Sequence, residues 1–260
     1  MEQMQIDDLG DALYLAMRER RMLSPLTETY PELTIEDAYA ISLRFLANRM
    51  QAGEKLIGKK IGVTSDAVMD MLGVRQPDFG FMTDAMRHDE EMAISGALIQ
   101  PRAEGEIAFL LNKDLQGPGV TNEDVLAATE AVMPCFEVVD SRVKDWQIKI
   151  QDTIADNASC GWFALNEAAA VDPAAVDLVN CQMTVRKNGS VISTGTGAAA
   201  MGSPVNCITW LANTLGAFGI TLERGDIVLS GSLVPLEAVA AGDEMTLHID
   251  GMGDCAVAFT

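Results

Sequence analysis

Three carboxylates stand on two apolar stretches of this chain. Glu104 and Glu106 occupy alternate positions of residues 101–111, PRAEGEIAFLL, and Glu137 lies inside residues 134–140, PCFEVVD. Side chains alternate between the two faces of a strand, so Glu104 and Glu106 are expected to point the same way. A carboxylate among apolar residues is costly unless it is paired or binds a cation. If the two stretches are neighbouring strands, the carboxylates converge into an all-oxygen ligand set that suits Mg²⁺ or Mn²⁺.

Two simpler interpretations of these acids stay open at this point. An acidic pair at alternate positions is typical of the solvent-facing side of an antiparallel strand. Glu137 could also form a structural ion pair with Arg102 or Arg142. Residue spacing alone does not choose between these interpretations and a metal site.

A short strand with two lysines is predicted at residues 55–64, KLIGKKIGVT. Lys59 and Lys60 point to opposite faces of that strand, so at most one of them can share a face with the acids. Gly58 and Gly62 flank the lysines, and glycine inside a strand often marks close approach by a ligand or another backbone.

Three further stretches of the sequence carry small polar residues that could take part in a site. Asp78, in QPDFG at residues 76–80, is most simply a turn residue. Residues 154–161, IADNASCG, have little helix or strand signal and are either a loop packed by its own hydrogen bonds or the wall of a site. A predicted strand at residues 225–232 ends in hydroxyl residues, Ser230 among them, that could hold a substrate carboxylate.

The elements that must position these residues follow from periodicity and capping signals. The prediction comprises amphipathic helices from about Ile6 to Met22 and from Thr34 to about Met50, a short helix from Ser65 to near Gly73, helices at 121–133 and 204–218, and a hairpin at Asn188-Gly189. Helices followed by short strands without βαβ alternation predict an α+β fold with a β-rich core. We divide the chain into an N-terminal helical part, residues 1–54, that packs on a β-rich catalytic domain, residues 55–260.

Composition narrows the class of protein. The chain has 260 residues and a net charge of −20, which argues against binding nucleic acid or an anionic membrane through a broad basic surface. We find neither a signal peptide nor an apolar run long enough to span a bilayer, so a cytoplasmic protein is expected. The five scattered cysteines have no C-x-x-C spacing and are predicted to be reduced core residues.

Six stretches, taken in order, resemble one enzyme family. They are GKKIG at 58–62, QPDFG at 76–80, PRAEGE at 101–106, EVVDSR at 137–142, ADNASCG at 155–161 and GSP at 202–204. The chain is similar to the hydratase and decarboxylase family of the fumarylacetoacetate hydrolase superfamily, and within it to the 2-hydroxypenta-2,4-dienoate hydratases. The resemblance covers nearly the whole chain, so it is far more specific than any single motif.

The resemblance implies a fold, an activity and a set of partners. The implied fold is a mixed β-roll, or distorted barrel, with an N-terminal helical part, assembled as a homo-oligomer that is a pentamer or a decamer. The implied reaction adds water to 2-hydroxypenta-2,4-dienoate (2-oxopent-4-enoate) and gives 4-hydroxy-2-oxopentanoate in meta-cleavage degradation of aromatic compounds. The substrate is a small molecule.

The resemblance also implies roles for individual residues. The metal ligands of the family fall on Glu104, Glu106 and Glu137, which would hold Mg²⁺ or Mn²⁺. The family's lysine matches Lys60, which would neutralise charge on the substrate or, if desolvation depresses its pKa, transfer a proton. Asp78 matches an acid for water activation or proton transfer. The substrate-binding residues carried over are Asp156, Asn157 and Ser159, to which we add Ser230.

Two alternatives are kept. One is 4-oxalocrotonate decarboxylase of the same family, which shares the acids and the lysine but has no need to activate water; Asp78 favours the hydratase. The other is a mainly structural partner in a complex of that decarboxylase with a hydratase.

Overall fold

The N-terminal part of the chain is helical, as predicted. The computed structural model describes residues 1–65, 69, 74 and 76–260, and the helix predicted from Ser65 to Gly73 lies outside the described residues. The helices are α1 (Gln3–Glu19), α2 (Leu26–Thr29), α3 (Ile35–Gln51), α4 (Asn122–Ala128), α5 (Ile150–Ala155) and α6 (Pro204–Ala217). Thr34 begins α3 with the predicted capping box, since its hydroxyl accepts from the Asp37 N–H at 3.1 Å.

Two β-sheets form the rest of the fold. The strands are β1 (Leu56–Gly62), β2 (Asp78–Thr83), β3 (Arg87–His88), β4 (Glu91–Met92), β5 (Pro101–Leu111), β6 (Thr129–Asp140), β7 (Trp162–Leu165), β8 (Gln182–Lys187), β9 (Ser190–Thr196), β10 (Ile227–Leu229), β11 (Glu237–Ala238), β12 (Glu244–Ile249) and β13 (Gly253–Phe259). The larger sheet has the order β2-β1-β10-β5-β6-β7-β3, with β11 also paired to β5. The second sheet has the order β4-β13-β12-β8-β9.

The two sheets pack against each other over one face of β5. A Cβ atom added at Gly105 would lie 2.6 Å from the Met183 sulfur of β8, so this face of β5 is filled by the second sheet. The opposite face of β5 is therefore the one that carries Glu104 and Glu106. The predicted α+β fold, a mixed β-roll with helices at its N-terminal end, is confirmed.

One continuous core joins the helices to the sheets. Leu13 of α1 and Phe45 of α3 are buried in the same apolar cluster as Phe109 of β5 and Phe136 of β6. All five cysteines are free and buried, as predicted. The division at residue 54 remains an interpretation of the sequence. In the part of the chain that the structure describes, no helix has both the length and the hydropathy to span a bilayer.

One local prediction differs from the structure, and one is confirmed. The helix predicted at 121–133 ends at Ala128, because Thr129 begins β6 and pairs with Leu111 of β5. The Asn188-Gly189 hairpin is confirmed: both residues have the positive φ (51° and 80°) that the turn between β8 and β9 requires.

Candidate active site

The three carboxylates of the sequence prediction meet in the structure. Strands β5 and β6 are antiparallel neighbours, and Glu104 lies directly opposite Glu137. Glu106 follows on the same face of β5. One carboxylate oxygen from each of the three residues lies within 4.8 Å of the others. We call these residues the carboxylate cluster.

Two oxygens of this cluster have no partner. Glu106 and Glu137 are buried, with 0% and 2% of their surfaces exposed. One oxygen of Glu106 accepts from the Gly231 N–H at 2.7 Å. Glu106 Oε1 and Glu137 Oε2 accept no hydrogen bond from any described residue. Unpaired carboxylate oxygens are costly in a protein interior, so their convergence fits a site for a hard divalent cation.

The pKa values of the cluster reflect crowded negative charge. Burial, and next the charge of Glu137, raise the pKa of Glu104 to about 8. The same two causes raise the pKa of Glu106 well above its ordinary value. A cation among these oxygens would lower both pKa values, because it favours the ionised form.

Lys60 is the lysine that faces the cluster. Its Nζ lies 3.3 Å from Glu137 Oε1. Lys59 points to the other face of β1, where its Nζ lies 2.5 Å from Asp226 Oδ2. Burial by itself lowers the pKa of Lys60, but the neighbouring acids, Glu137 foremost, outweigh it and raise that pKa. The raised pKa keeps Lys60 protonated in the cation-free protein. The depressed pKa that the sequence analysis allowed for Lys60 is therefore wrong for the cation-free protein.

Asp78 begins β2, so its interpretation as a turn residue is wrong. It lies opposite Gly62 of β1, and a Cβ atom at Gly62 would lie 2.3 Å from its Oδ1. A side chain at position 62 would therefore displace the Asp78 carboxylate. Neither carboxylate oxygen of Asp78 has a hydrogen-bond partner among the described residues. Burial raises the pKa of Asp78, although the charge of Lys60 opposes the shift.

Three of these side chains line a cavity of about 680 Å³, whereas Glu106 and Glu137 are not among its lining residues. Its polar wall includes Lys60, Asp78 and Glu104, while its apolar wall contains Val63, Val139, Ile148, Leu233, Val234 and Leu236. Cavities of this size hold small organic ligands. Arg102, considered above only as an ion-pair partner of Glu137, lies in the cavity wall, where its guanidinium carbon is 4.7 Å from the centroid of the Trp146 ring. Its position two residues before Glu104, on the same strand face, was the signal that could have found it.

The four residues predicted to bind substrate separate into two groups. Ser159 lines the cavity, but Asp156, Asn157 and Ser230 do not. Asp156 is fully buried and is paired with Arg142 at 2.5 Å, so Arg142 is not the partner of Glu137. The Asn157 amide bonds the backbone of β2. The Ser230 hydroxyl is buried without a hydrogen-bond partner in the described part of the chain.

Comparison with known proteins identifies the family. A family model, the fumarylacetoacetate (FAA) hydrolase C-terminal domain, matches residues 69–260. The chain is 58% identical over 258 residues to a 2-hydroxyhexa-2,4-dienoate hydratase of Comamonas testosteroni, covering 98% of this chain and 97% of that protein. It is 66% identical over 222 residues to a 2-hydroxypent-2,4-dienoate hydratase of Pseudomonas putida, covering 85% of this chain and 100% of that protein.

A solved structure extends the comparison. The 4-oxalocrotonate decarboxylase from Pseudomonas putida G7, complexed with magnesium and adipate, has a TM-score of 0.96 and 31% sequence identity, covering 100% of this chain and 99% of that one. This chain belongs to the fumarylacetoacetate hydrolase family.

Proposed function

We propose that this protein is a metal-dependent hydratase that converts 2-hydroxypenta-2,4-dienoate into 4-hydroxy-2-oxopentanoate. The observation that carries the proposal is the buried carboxylate cluster with unpaired oxygens, whose Glu104 lines one cavity together with Lys60 and Asp78. The two relatives at 58% and 66% identity support it, since both are named as hydratases of 2-hydroxy-2,4-dienoates. The reaction belongs to meta-cleavage degradation of aromatic compounds.

Glu104, Glu106 and Glu137 would hold the divalent cation, either Mg²⁺ or Mn²⁺. Their donor set is entirely oxygen, and two of its buried atoms are free to bind a cation. When bound, the cation would supply positive charge for chelation of a 2-oxo acid and for stabilising negative charge at its 2-oxygen.

The ammonium group of Lys60 would provide a second positive charge next to the carboxylate cluster. Its ammonium, 3.3 Å from Glu137, can neutralise charge on the substrate carboxylate and on the 2-oxygen as the enol loses its proton. Because its Nζ lies beside Glu137 of the carboxylate cluster, we assign Lys60 to charge neutralisation.

Asp78 would move protons at the vinyl end. In hydration the 2-hydroxyl loses a proton, carbon 5 gains one, the oxygen of water bonds to carbon 4, and carbon 3 gains the second proton. A carboxyl group with a raised pKa can donate to carbon 5 and then, as a carboxylate, accept a proton from the attacking water. Neither oxygen of Asp78 has a hydrogen-bond partner in the described part of the chain, so both are available for this exchange.

The cellular compartment and the assembly of the protein are also proposals. We infer a cytoplasmic protein, because five free cysteines fit a reducing compartment. On the family resemblance we infer a homo-oligomer, a pentamer or a decamer, and a complex with 4-oxalocrotonate decarboxylase. Light scattering of the purified protein, alone and mixed with that decarboxylase, tests the assembly.

An ultraviolet assay tests the activity. The protein is stripped with a chelator, mixed with freshly generated 2-hydroxypenta-2,4-dienoate, and followed by loss of absorbance before and after Mg²⁺ or Mn²⁺ is added. We expect metal-dependent loss with 4-hydroxy-2-oxopentanoate as product. Turnover of 2-oxohex-3-enedioate with release of carbon dioxide, and none of the dienoate, would identify a decarboxylase instead.

A further inference from the structure

Residues 156–160 form a strained turn beside the cavity, which we call the left-handed turn. Asn157, Ala158 and Ser159 have φ angles of 56°, 50° and 52°. Residues with a Cβ atom avoid this conformation, so three in succession persist only where the surroundings hold them. Ala158 and Ser159 line the cavity.

Arg142 holds both ends of the left-handed turn. Its Nη2 donates to the Asp156 carbonyl at 2.5 Å, and its Nη1 donates to the Cys160 carbonyl at 2.8 Å. Its Nε and its backbone N–H donate to the two carboxylate oxygens of Asp156, at 2.5 and 2.9 Å. A guanidinium is planar with donors in a fixed fork, so it sets the separation of these acceptors. Arg142 lies two residues beyond β6, the strand that carries Glu137.

Asn157 joins the same turn to β2. Its Nδ2 donates to the Phe81 carbonyl at 2.9 Å, and its Oδ1 accepts from the Phe81 N–H at 2.8 Å. Phe81 lies three residues after Asp78. A Cβ atom at Gly80 would lie 2.5 Å from the Asn157 carbonyl oxygen and 2.8 Å from the Cys160 sulfur, so the close contact between turn and strand requires glycine there.

We propose that the left-handed turn sets the position of Asp78 relative to the carboxylate cluster, and that Arg142 and Asn157 are positioning residues for hydration. The turn is hydrogen-bonded to β2, which carries Asp78, and through Arg142 to the end of β6, which carries Glu137. The inference rests on the proposed function, in which Asp78 and the cluster act on opposite ends of one substrate. A misplacement of about 1 Å between such groups can lower a rate by about 100-fold.

Two small substitutions test the inference. Asn157→Asp keeps the acceptor for the Phe81 N–H but places a carboxylate oxygen against the Phe81 carbonyl. Gly80→Ala pushes the turn away from β2. For both variants we expect kcat for hydration to fall about 10- to 100-fold with little change in KM. Mn²⁺ affinity, measured by electron paramagnetic resonance, should match that of wild type because the three ligands are untouched.

A second reaction distinguishes a misplaced Asp78 from general damage to the active site. The saturated acid 2-oxopentanoate has no vinyl group to hydrate, but its carbon 3 can exchange protons with deuterated water, which is measured by nuclear magnetic resonance. We expect exchange at the wild-type rate in both variants. Equal loss of exchange and hydration would overturn the inference.

Asp226→Asn is the matched control. Like Asp156 of the left-handed turn, Asp226 is a buried aspartate that accepts from a cation and from a backbone N–H. Its partners are Lys59 Nζ at 2.5 Å and the Glu223 N–H at 2.8 Å. We expect this variant to lose thermal stability while keeping the wild-type ratio of hydration to exchange. A ratio altered as much as in Asn157→Asp would overturn the inference.

A crystal structure of Asn157→Asp tests the geometry without any turnover. We expect Asp78 to be displaced by about 1 Å relative to Glu137. An unmoved Asp78 would overturn the positioning role. A wild-type protein that hydrates no dienoate would overturn only the proposed function.

Discussion

Two groups of buried charges in this protein differ in how their polar atoms are satisfied. In the carboxylate cluster, oxygens of Glu106 and Glu137 have no partner among the described residues. Around Arg142, by contrast, both oxygens of Asp156 accept from that arginine. A buried charge that is fully paired is explained by the fold alone. In the carboxylate cluster Lys60 offers one cation to three carboxylates, and two oxygens have no hydrogen-bond partner among the described residues, which supports the cluster as the proposed cation site.

The largest effect should come from removing a ligand of the cluster. For Glu106→Gln we expect Mg²⁺ and Mn²⁺ affinity to be lost and turnover to fall about 1,000-fold or more, because a bound cation supplies several kcal/mol of charge stabilisation. Calorimetric metal titration and the dienoate assay measure the two quantities. The metal-free variant should be at least as stable as wild type, since one crowded carboxylate is gone. Wild-type turnover would contradict the ligand assignment.

Asp78→Asn should separate proton transfer from metal binding. We expect turnover to fall about 100- to 10,000-fold, the usual contribution of a general acid or base, with metal affinity unchanged. The same titration and assay provide the comparison. If metal affinity fell together with turnover, Asp78 would belong to the cation site instead.

Breaking the buried Arg142–Asp156 pair should lower the stability of the protein. Arg142→Ala leaves the Asp156 carboxylate buried without its cation, so we expect the free energy of unfolding to fall by about 3–5 kcal/mol. Urea denaturation of the metal-free protein measures it. Arg44→Ala is the control, because the side chains of the Arg44–Asp11 pair are 38% and 42% exposed and the pair should contribute less than about 1 kcal/mol. Equal losses in the two variants would contradict the distinction drawn between the buried groups.

The smallest expected effect is stabilisation by the cation itself. A divalent cation at about 100 times its Kd should raise the free energy of unfolding by about 2.7 kcal/mol, since it binds the folded state alone. Thermal unfolding with and without Mn²⁺ measures this difference. Arg142→Lys should keep the response and Glu106→Gln should lose it. A response that persists in Glu106→Gln would place the cation elsewhere.

Much of the fold could be predicted because its signals are local. The capping box at Thr34 and the turn at Asn188 and Gly189 depend on residues close in the chain, and both are confirmed. The family resemblance carried by the short motifs is confirmed as well. The end of α4 could not be predicted, because pairing of Thr129 with a strand distant in sequence overrides helix propensity. Asp78 was misread for the same reason, since its place in β2 depends on pairing with Gly62.

The sequence by itself determined the family, the reaction class that the family implies, and the alternation that puts Glu104 and Glu106 on one strand face. Only the tertiary structure decided which charges meet. It placed Glu137 opposite Glu104, turned Lys60 toward them and Lys59 away, and assigned Arg142 to Asp156. The physical reason is that ion pairing depends on distances of a few ångströms between groups far apart in the chain, and these distances exist only once the strands have paired.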